Sequence, residues 1–446
     1  MDSALGPAHP RWIRVNAVKS TLDEQLDSTF KGFKLVATIK EIMDSPAGSK
    51  VICLDGHVPN LVAASPGVDF TKTQAYKKGE IILQDKASCF PAYLLDPRPD
   101  GADGDIIDAC SAPGNKTTHL AGILAERGAE LNGRKQRIHA FEKDKARAKT
   151  LAKMIGVAGS EGITTVHPGA DFLRADPESP EFAKVTCLLL DPSCSGSGIV
   201  GRDDAPEFCL PSASASASAS AGGGAKPGPP AKKRKREEKE DAEKKTAVLP
   251  LLDDDGVPSS EGLSPQALES RIQALASFQL SIILHAFSFP AARRVTYSTC
   301  SIYPGENEGV VIKALESDVA KRRGWKVLKR DEQVRGMREW DVRGWKDECG
   351  GNEEIAEGCI RAERGDGRGT MGFFVVAFVR DGEKDDKAEE DLGPYERDEE
   401  GRIVREFDGM PVLKRRKGEA ATEVEVDMEV DEDGDEDGDE WGGFDD

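Results

Sequence analysis

Between residues 81 and 206 the chain alternates short apolar runs with stretches of helical spacing. The run GDIIDAC, residues 104–110, is brief, apolar and closed by small residues, which is how a buried parallel strand reads. After it, NKTTHLAGILAERG places Leu120, Ile123 and Leu124 on one helical face, with Gly128 as a stop. RIHAFEKD gives a second strand. KARAKTLAKMIG gives a second helix, apolar at Ala148, Leu151, Ala152 and Ile155, and Gly156 is expected to close it. GITTVHPGADF and VTCLLLDP supply a third and a fourth strand. The pattern resumes at LSPQALESRIQALASFQLSIILHAFSFP, where Ser264 suits an N-cap and Pro265 the first helical position. Leu268, Ile272, Leu275 and Ile282 share one face of that helix. RRVTYSTCS is a fifth strand, and GFFVVAFVR, residues 372–380, is a last one. Repeated strand–helix units predict an α/β fold with a parallel sheet covered on both faces. Residues 1–80 read separately as a small α/β unit. PRWIRVN opens it as a strand, residues 22–33 follow as a short helix, and KLVATIKEI and SKVICLDG are β-rich or mixed. Residues 324–371, rich in glycine and charge, give no assignable pattern.

Composition then sets the boundaries. Residues 207–262 contain SASASASASAGGGAKPGPP, low-complexity sequence that buries no core, so a disordered insertion is expected there. The basic run KKRKR at 232–236 has two readings, a solvated charge cluster or a signal bound by a nuclear import receptor; its compactness and flanking prolines favour the second. Residues 381–446 hold 28 acidic against 9 basic side chains, so a net of -19 out of the chain's -20 belongs to an acidic tail, expected to be disordered. The body, at -1, is neutral, which neither excludes nor supports a nucleic-acid partner. The nine cysteines are odd in number and never form a CxxC pair, which gives zinc little support and fits a reducing, intracellular setting. No secretory signal precedes them. The longest apolar stretches fall far short of a membrane span, so no membrane is expected.

Candidate chemistry collects at the strand ends. DACSAPGNKTTHLA, residues 108–121, sits at a strand-to-helix junction, where small residues let a ligand approach and a helix N-terminus offers free N–H groups. It is neither GxGxxG nor a phosphate-binding Walker loop, so neither a dinucleotide nor a nucleoside triphosphate is indicated. A tight turn shaped by Pro113 and Gly114 is the plainer reading of the loop alone. Glu142 ends the second strand, where an acid accepts hydrogen bonds from ribose hydroxyls. Asp171 and Asp191 follow the third and fourth. Four successive strands thus deliver polar groups to the edge at which open α/β sheets bind ligands. Cys194, in DPSCSGSG, and Cys300, in YSTCS, would lie at that same edge, and a cysteine there can act as a nucleophile. Cys187, inside VTCLLL, reads instead as a small core residue.

In this order DACSAPGNKT, FEKD, GADF, DPSCSGSG and YSTCSIYPGENE resemble the Sun-type (RsmB-like) RNA cytosine-5 methyltransferases. LQDKASCFPAYLLDP at 83–97 is similar to that family's lead-in to the first sheet strand, and PRWIRVN to the start of its RNA-binding subdomain. The form DPSCSGSG together with HAFSFP and RRVTYSTCSIYPGENE looks closest to the eukaryotic large-subunit ribosomal RNA branch. The resemblance implies a Rossmann-like class I methyltransferase sheet over residues 81–206 and 263–380, behind an N-terminal RNA-binding subdomain, residues 1–80. It implies S-adenosyl-L-methionine as cofactor, held by Cys110, Ser111, Ala112, Pro113, Gly114, Asn115 and Lys116 at the methionine end, by Glu142 at the ribose and by Asp171 at the adenine. Asp191 would stand between cofactor and target base. Cys300 would be the nucleophile and Cys194 the thiol that helps release product. The substrate would be RNA, ribosomal RNA of the large subunit or its precursor particles, and the location the nucleus, at the nucleolus. Residue 193 is serine where many members have Pro-Cys, and the chain begins almost directly at PRWIRVN, where relatives carry more. Two other readings stand beside it: a DNA cytosine-5 methyltransferase, whose nucleophile would be Cys194, and a ribosome-assembly factor whose activity is dispensable.

Overall fold

The computed structural model describes residues 9–98, 104–128, 130, 131, 134–199, 264–380 and 404. The insertion at 207–262, the basic run 232–236 and, apart from Val404, the acidic tail lie outside the described residues, as does Cys209.

The N-terminal unit comprises β1 (Arg11–Val15), α1 (Leu22–Asp27), β2 (Lys34–Leu35), α2 (Ile39–Asp44), β3 (Val51–Leu54), β4 (Leu61–Ala64), α3 (Gln74–Lys78) and β5 (Ile81–Leu83). Its sheet order is β2-β3-β4-β1-β5. Because β5 pairs antiparallel with β1, the sheet reaches residue 83, three residues past the boundary expected at 80. Thr21, Thr38 and Thr73 cap the three helices, and Glu24 completes a capping box with Thr21. The helix expected over 22–33 ends at Asp27, since Phe30 turns into the core to meet Phe33 and Phe70 edge-on or tilted. In β1 the alternation sends Ile13 and Val15 into this core, while Trp12 and Arg14 face the second unit. Arg14 is buried there, giving hydrogen bonds to Gln84 Oε1 (2.7 Å) and Thr118 Oγ1 (2.9 Å).

The second unit runs α4 (Lys86–Leu95), β6 (Asp105–Asp108), α5 (Asn115–Glu126), the small hairpin β7 (Glu130–Leu131) and β8 (Arg134–Lys135), β9 (Ile138–Glu142), α6 (Lys145–Ala158), β10 (Thr164–Pro168), β11 (Val185–Leu190), α7 (Pro265–Phe287), β12 (Arg294–Thr299), α8 (Glu308–Glu316), α9 (Asp318–Arg323), β13 (Lys326–Val327), α10 (Arg335–Glu339), α11 (Glu353–Gly358), β14 (Ile360–Ala362) and β15 (Phe373–Val379). The strand order is β10-β9-β6-β11-β12-β15-β13, with β14 also on β15. The first five are parallel and β15 is antiparallel to β12. This is the doubly wound sheet the alternation predicts. Ile107, Leu188 and Leu190 pack under Ile283 and Phe287 of α7 and Val310 of α8. Ile106, Cys187 and Leu189 pack on the other face under Leu120 and Leu124 of α5 and Leu95 of α4. Cys187 is therefore the core residue its sequence setting implies. Gly156 does not close α6: the helix continues two residues to Ala158, and Gly159, at φ +75°, caps it in the left-handed region. Ser264 and Pro265 begin α7 as expected. The unassigned residues 324–371 form short elements around β15, whose partners are distant in sequence.

A buried ion pair joins the two units. Lys86 Nζ lies 2.5 Å from Asp55 Oδ2 and 3.2 Å from His57 Nδ1, with both ion-pair side chains at most 4% exposed. The ammonium stands over the Trp12 and Trp340 rings, at 5.4 and 5.0 Å from their centroids. Removing the lysine strands a carboxylate away from water. Lys86→Ala should therefore destabilise the chain by about 3–5 kcal/mol in urea denaturation, and adding Asp55→Asn should recover part of that loss. A loss below about 1 kcal/mol for the single variant would contradict the pair's buried character.

Candidate active site at the strand ends

The parallel strands bring their C-terminal residues to one edge. Asp108 ends β6, Glu142 ends β9, Asp171 follows β10, Asp191 follows β11 and Cys300 follows β12. The loop 109–114 is tied to this rim. Ser111 N–H donates to Phe141 O, Ser111 Oγ to the Asp108 carbonyl, and Ala112 N–H to Glu142 Oε2 at 3.3 Å. Gly114 has φ +114°, and a Cβ there would press on Met154 at 3.0 Å, so glycine is required on both counts. No side chain caps α5, which leaves its first N–H groups directed at the loop. Glu142 also accepts from Asp144 N–H (2.8 Å), and Asp171 caps a 3₁₀ turn while pairing with Lys143 at 2.9 Å. Burial, reinforced by Asp108, pushes the Cys110 thiol well up, so this cysteine stays protonated and lines the loop.

Lys116, on the first turn of α5, leaves the loop and reaches Asp191, with Nζ 2.6 Å from Oδ2 and 3.2 Å from Ser88 Oγ. Burial opposes its charge, yet Asp191, Cys300 and Asp108 together hold it above the ordinary lysine value. Ser298 Oγ donates to Asp191 Oδ1 at 2.6 Å. Asp191 thus receives a donor on each oxygen, the environment of a carboxylate poised to accept. Lys116 joins the loop 109–114 to the cysteine side of the rim, a contact its place in the loop did not suggest.

The two cysteines meet: Cys194 Sγ and Cys300 Sγ are 3.0 Å apart. Its hydrogen bond to Cys300, then burial, then the nearby Glu306 charge, raise the Cys194 thiol well above the usual range. The two sulfurs share this hydrogen bond, which either can donate.

Glu306 organises this meeting, which sequence reasoning missed. Its carboxylate is fully buried and accepts from Ser195 N–H (2.9 Å), Gln279 Nε2 (3.0 Å) and Ser301 Oγ (2.6 Å). Asn307 holds the same turn, accepting from Thr299 Oγ1 and donating to Ser301 O. Glu308 is paired at 2.6 Å with Arg361, whose guanidinium stacks on Trp345 at 3.7 Å and donates to Ile302 O. Gly198 N–H donates to Cys300 O (2.9 Å), and a Cβ on Gly198 would stand 2.2 Å from Gly372 O, so two glycines set the closeness of these loops. The run Glu306-Asn307-Glu308 directly after a strand-ending cysteine was the available signal, because three polar residues at a turn into a helix invite partners. Gln279, Arg361 and Gly372 carried none. Ile199, Ile302 and Trp345 are exposed apolar side chains; Ile302 lies two residues beyond Cys300, and Trp345 stacks on Arg361.

Comparison with known proteins agrees with this layout. Residues 9–84 match the model for the NOL1/NOP2/Sun domain family member 5, ferredoxin-like domain, and residues 92–208 that for 16S rRNA methyltransferase RsmB/F. The chain is 37% identical over 367 residues to 25S rRNA (cytosine-C(5))-methyltransferase rcm1 of Schizosaccharomyces pombe, covering 82% of this chain and 62% of that one. It is 32% identical to the 28S rRNA (cytosine-C(5))-methyltransferase of Mus musculus, covering 83% and 62%. It is 31% identical to 26S rRNA (cytosine-C(5))-methyltransferase nsun-5 of Caenorhabditis elegans, covering 83% and 67%. The chain thus spans a little over three fifths of the length of the yeast and mouse relatives. A methyltransferase homolog protein from Pyrococcus horikoshii shares the fold, with a TM-score of 0.52 at 18% identity over 83% of this chain and 87% of that one.

Asp108 makes the rim sensitive to pH. Burial raises its carboxyl to about 6, against the Thr117 hydroxyl that donates to it at 2.7 Å. A raised carboxyl contributes stability while protonated and loses it as pH rises through the folded value. Asp108→Asn should therefore gain on the wild type between pH 4 and 7, by up to about 3 kcal/mol in urea denaturation. A difference that stays flat across that window would show that the folded carboxyl titrates normally.

Proposed function

The chain belongs to the Sun-type RNA cytosine-5 methyltransferases, in the branch of the eukaryotic large-subunit ribosomal RNA enzymes, and on that premise we propose that it methylates carbon 5 of a cytosine in large-subunit ribosomal RNA. The methyl donor is S-adenosyl-L-methionine. The residues fit such a ligand: the loop 110–114 is small, the start of α5 is uncapped, and Asn115 Oδ1 is a buried acceptor with no partner among the described residues. Cys110, Ser111, Ala112, Pro113, Gly114 and Asn115 would hold its amino-acid end, Glu142 its ribose and Asp171 its adenine side. The bound donor supplies an electrophilic methyl group.

Carbon 5 of cytosine is too weak a nucleophile to take that methyl unaided. The observation that carries the reading is the 3.0 Å contact between Cys194 and Cys300 at the strand-end rim. Cys300, directly after β12, adds through its sulfur to carbon 6, which pushes electron density to carbon 5. Asp191, fixed by Lys116 and Ser298, accepts from the exocyclic amino group of the base and orients the ring. Water takes the carbon-5 proton, the C–H electron pair restores the C5–C6 double bond and the C6–S bond breaks, and the Cys194 S–H stabilises the departing Cys300 thiolate. A DNA reading would make Cys194 the nucleophile, but the relatives that the chain matches are ribosomal RNA enzymes. The base has to leave its stack to reach Cys300. Trp345, braced on Arg361 beside Ile302, offers a face on which a neighbouring base can stack. A nucleolar location, with import through 232–236, goes with the substrate.

Cys300→Ala should abolish methyl transfer to ribosomal RNA, and Cys194→Ala should accumulate a covalent RNA–protein adduct visible on denaturing gels. Equal activity in the first variant, or no adduct in the second, removes the respective assignment. Trp345→Ala should raise KM for RNA roughly tenfold with kcat little changed, in line with the loss of one base–aromatic stack. A fall in kcat at unchanged KM would instead place Trp345 in the chemistry.

A further inference from the structure

Away from the cysteines, at the β10 edge of the sheet, three side chains converge that the methyl-transfer reading does not use. His139 lies on β9 and His167 on the neighbouring parallel strand β10, where Thr165 is the partner of His139 and His167 that of Phe141. The two histidines are therefore two residues apart in register and share a face. Their rings are fixed by aromatic packing: His167 stacks on Phe141 at 4.4 Å, and Phe182 meets His139 edge-on at 5.3 Å. His139 Nδ1 lies 3.2 Å from His167 Nε2, and Glu181 Oε1 stands 4.0 Å from the first and 3.9 Å from the second.

We propose that His139, His167 and Glu181 form a binding site for a divalent transition-metal ion, zinc by its donor set. A point equidistant from three atoms with these separations lies about 2.2 Å from each, against about 2.0–2.2 Å for zinc bonds to imidazole nitrogen and carboxylate oxygen. Neighbouring vertices of a zinc tetrahedron with bonds of that length stand about 3.5 Å apart, against 3.2 Å for the nitrogen pair and 3.9 and 4.0 Å for the oxygen, so an ion draws the Glu181 carboxylate inward as it binds. A hydrogen bond between the rings would account for the nitrogen pair alone. It does not account for a carboxylate oxygen placed evenly between both nitrogens. Two imidazoles and one carboxylate select zinc over magnesium or calcium, which take oxygen ligands. Glu181 is half exposed, which leaves an approach for the ion and a fourth position for water. An ion here would clamp β9, the edge strand β10 and the segment carrying Glu181 and Phe182.

The test uses the full chain in a Cys300→Ser background, because the paired sulfurs of Cys194 and Cys300 would also attract zinc. The protein is stripped with a chelator and titrated with Zn²⁺ against a chromophoric competitor, and thermal unfolding is followed in parallel. One equivalent should bind and raise Tm. His167→Gln and Glu181→Gln should each weaken binding at least tenfold and remove the rise in Tm at the same zinc concentration. Glu181 is a surface residue, so its variant folds even if the histidine variant does not. Absence of zinc binding by the parent chain, or affinity and Tm response unchanged in Glu181→Gln, overturns the proposal.

Discussion

A carboxylate with no cation beside it among the described residues holds the reactive edge together. Glu306 is fully buried and is satisfied only by neutral donors from three directions: the backbone at Ser195, the amide of Gln279 on α7 and the hydroxyl of Ser301. Hydrogen bonds to an ionised group are stronger than neutral ones, and losing any of them inside the protein leaves charge exposed to apolar surroundings. The loop after β11, the turn after β12 and helix α7 are thereby fixed to one point. The contact between the sulfurs follows from that anchoring. Tyr297 adds to it by donating to the backbone carbonyl of the same residue.

Much of this was readable in the sequence, and the reason is topological. In a parallel sheet every strand presents its C-terminal end to one edge, so Asp108, Glu142, Asp191 and Cys300 could be placed together once their strands were recognised. Strand recognition was reliable because the isoleucines of DIID and most of VTCLLL are apolar and buried on both faces, and each run is closed by turn residues. What stayed hidden depends on partners far along the chain. Glu308 pairs with Arg361 across fifty-three positions, and Gly198 meets Gly372 across a still longer separation. Neither distance leaves a local trace. The closing glycine of α6 was misplaced for a related reason: Gly156 and Gly159 are both plausible stops, and the left-handed turn that picks Gly159 is settled by how the chain continues.

The two units are joined by chemistry, not by apolar burial alone. Lys86 and Asp55 sit between Trp12 and Trp340, and Arg14 reaches from the N-terminal sheet to α5, the helix whose first turn carries Lys116. In the reading proposed here, the module that would grip RNA is thereby coupled through one helix to the residues that would orient the base. Charged groups at such a seam enforce a single arrangement, since any slip leaves a buried charge unmet.

The glycine pair has a consequence for the length of the chain. Backbone leaves the reactive edge at Gly198, held by the Cys300 carbonyl and pressed against Gly372, and it returns at Ser264, the cap of the helix that carries Gln279. The exit is held at Gly198, and the return leads into α7, whose Gln279 is tied to Glu306. Doubling the length of a connection between fixed ends costs only about 0.6 kcal/mol of closure entropy. Length can therefore change between these two points with little effect on the spacing of the sulfurs.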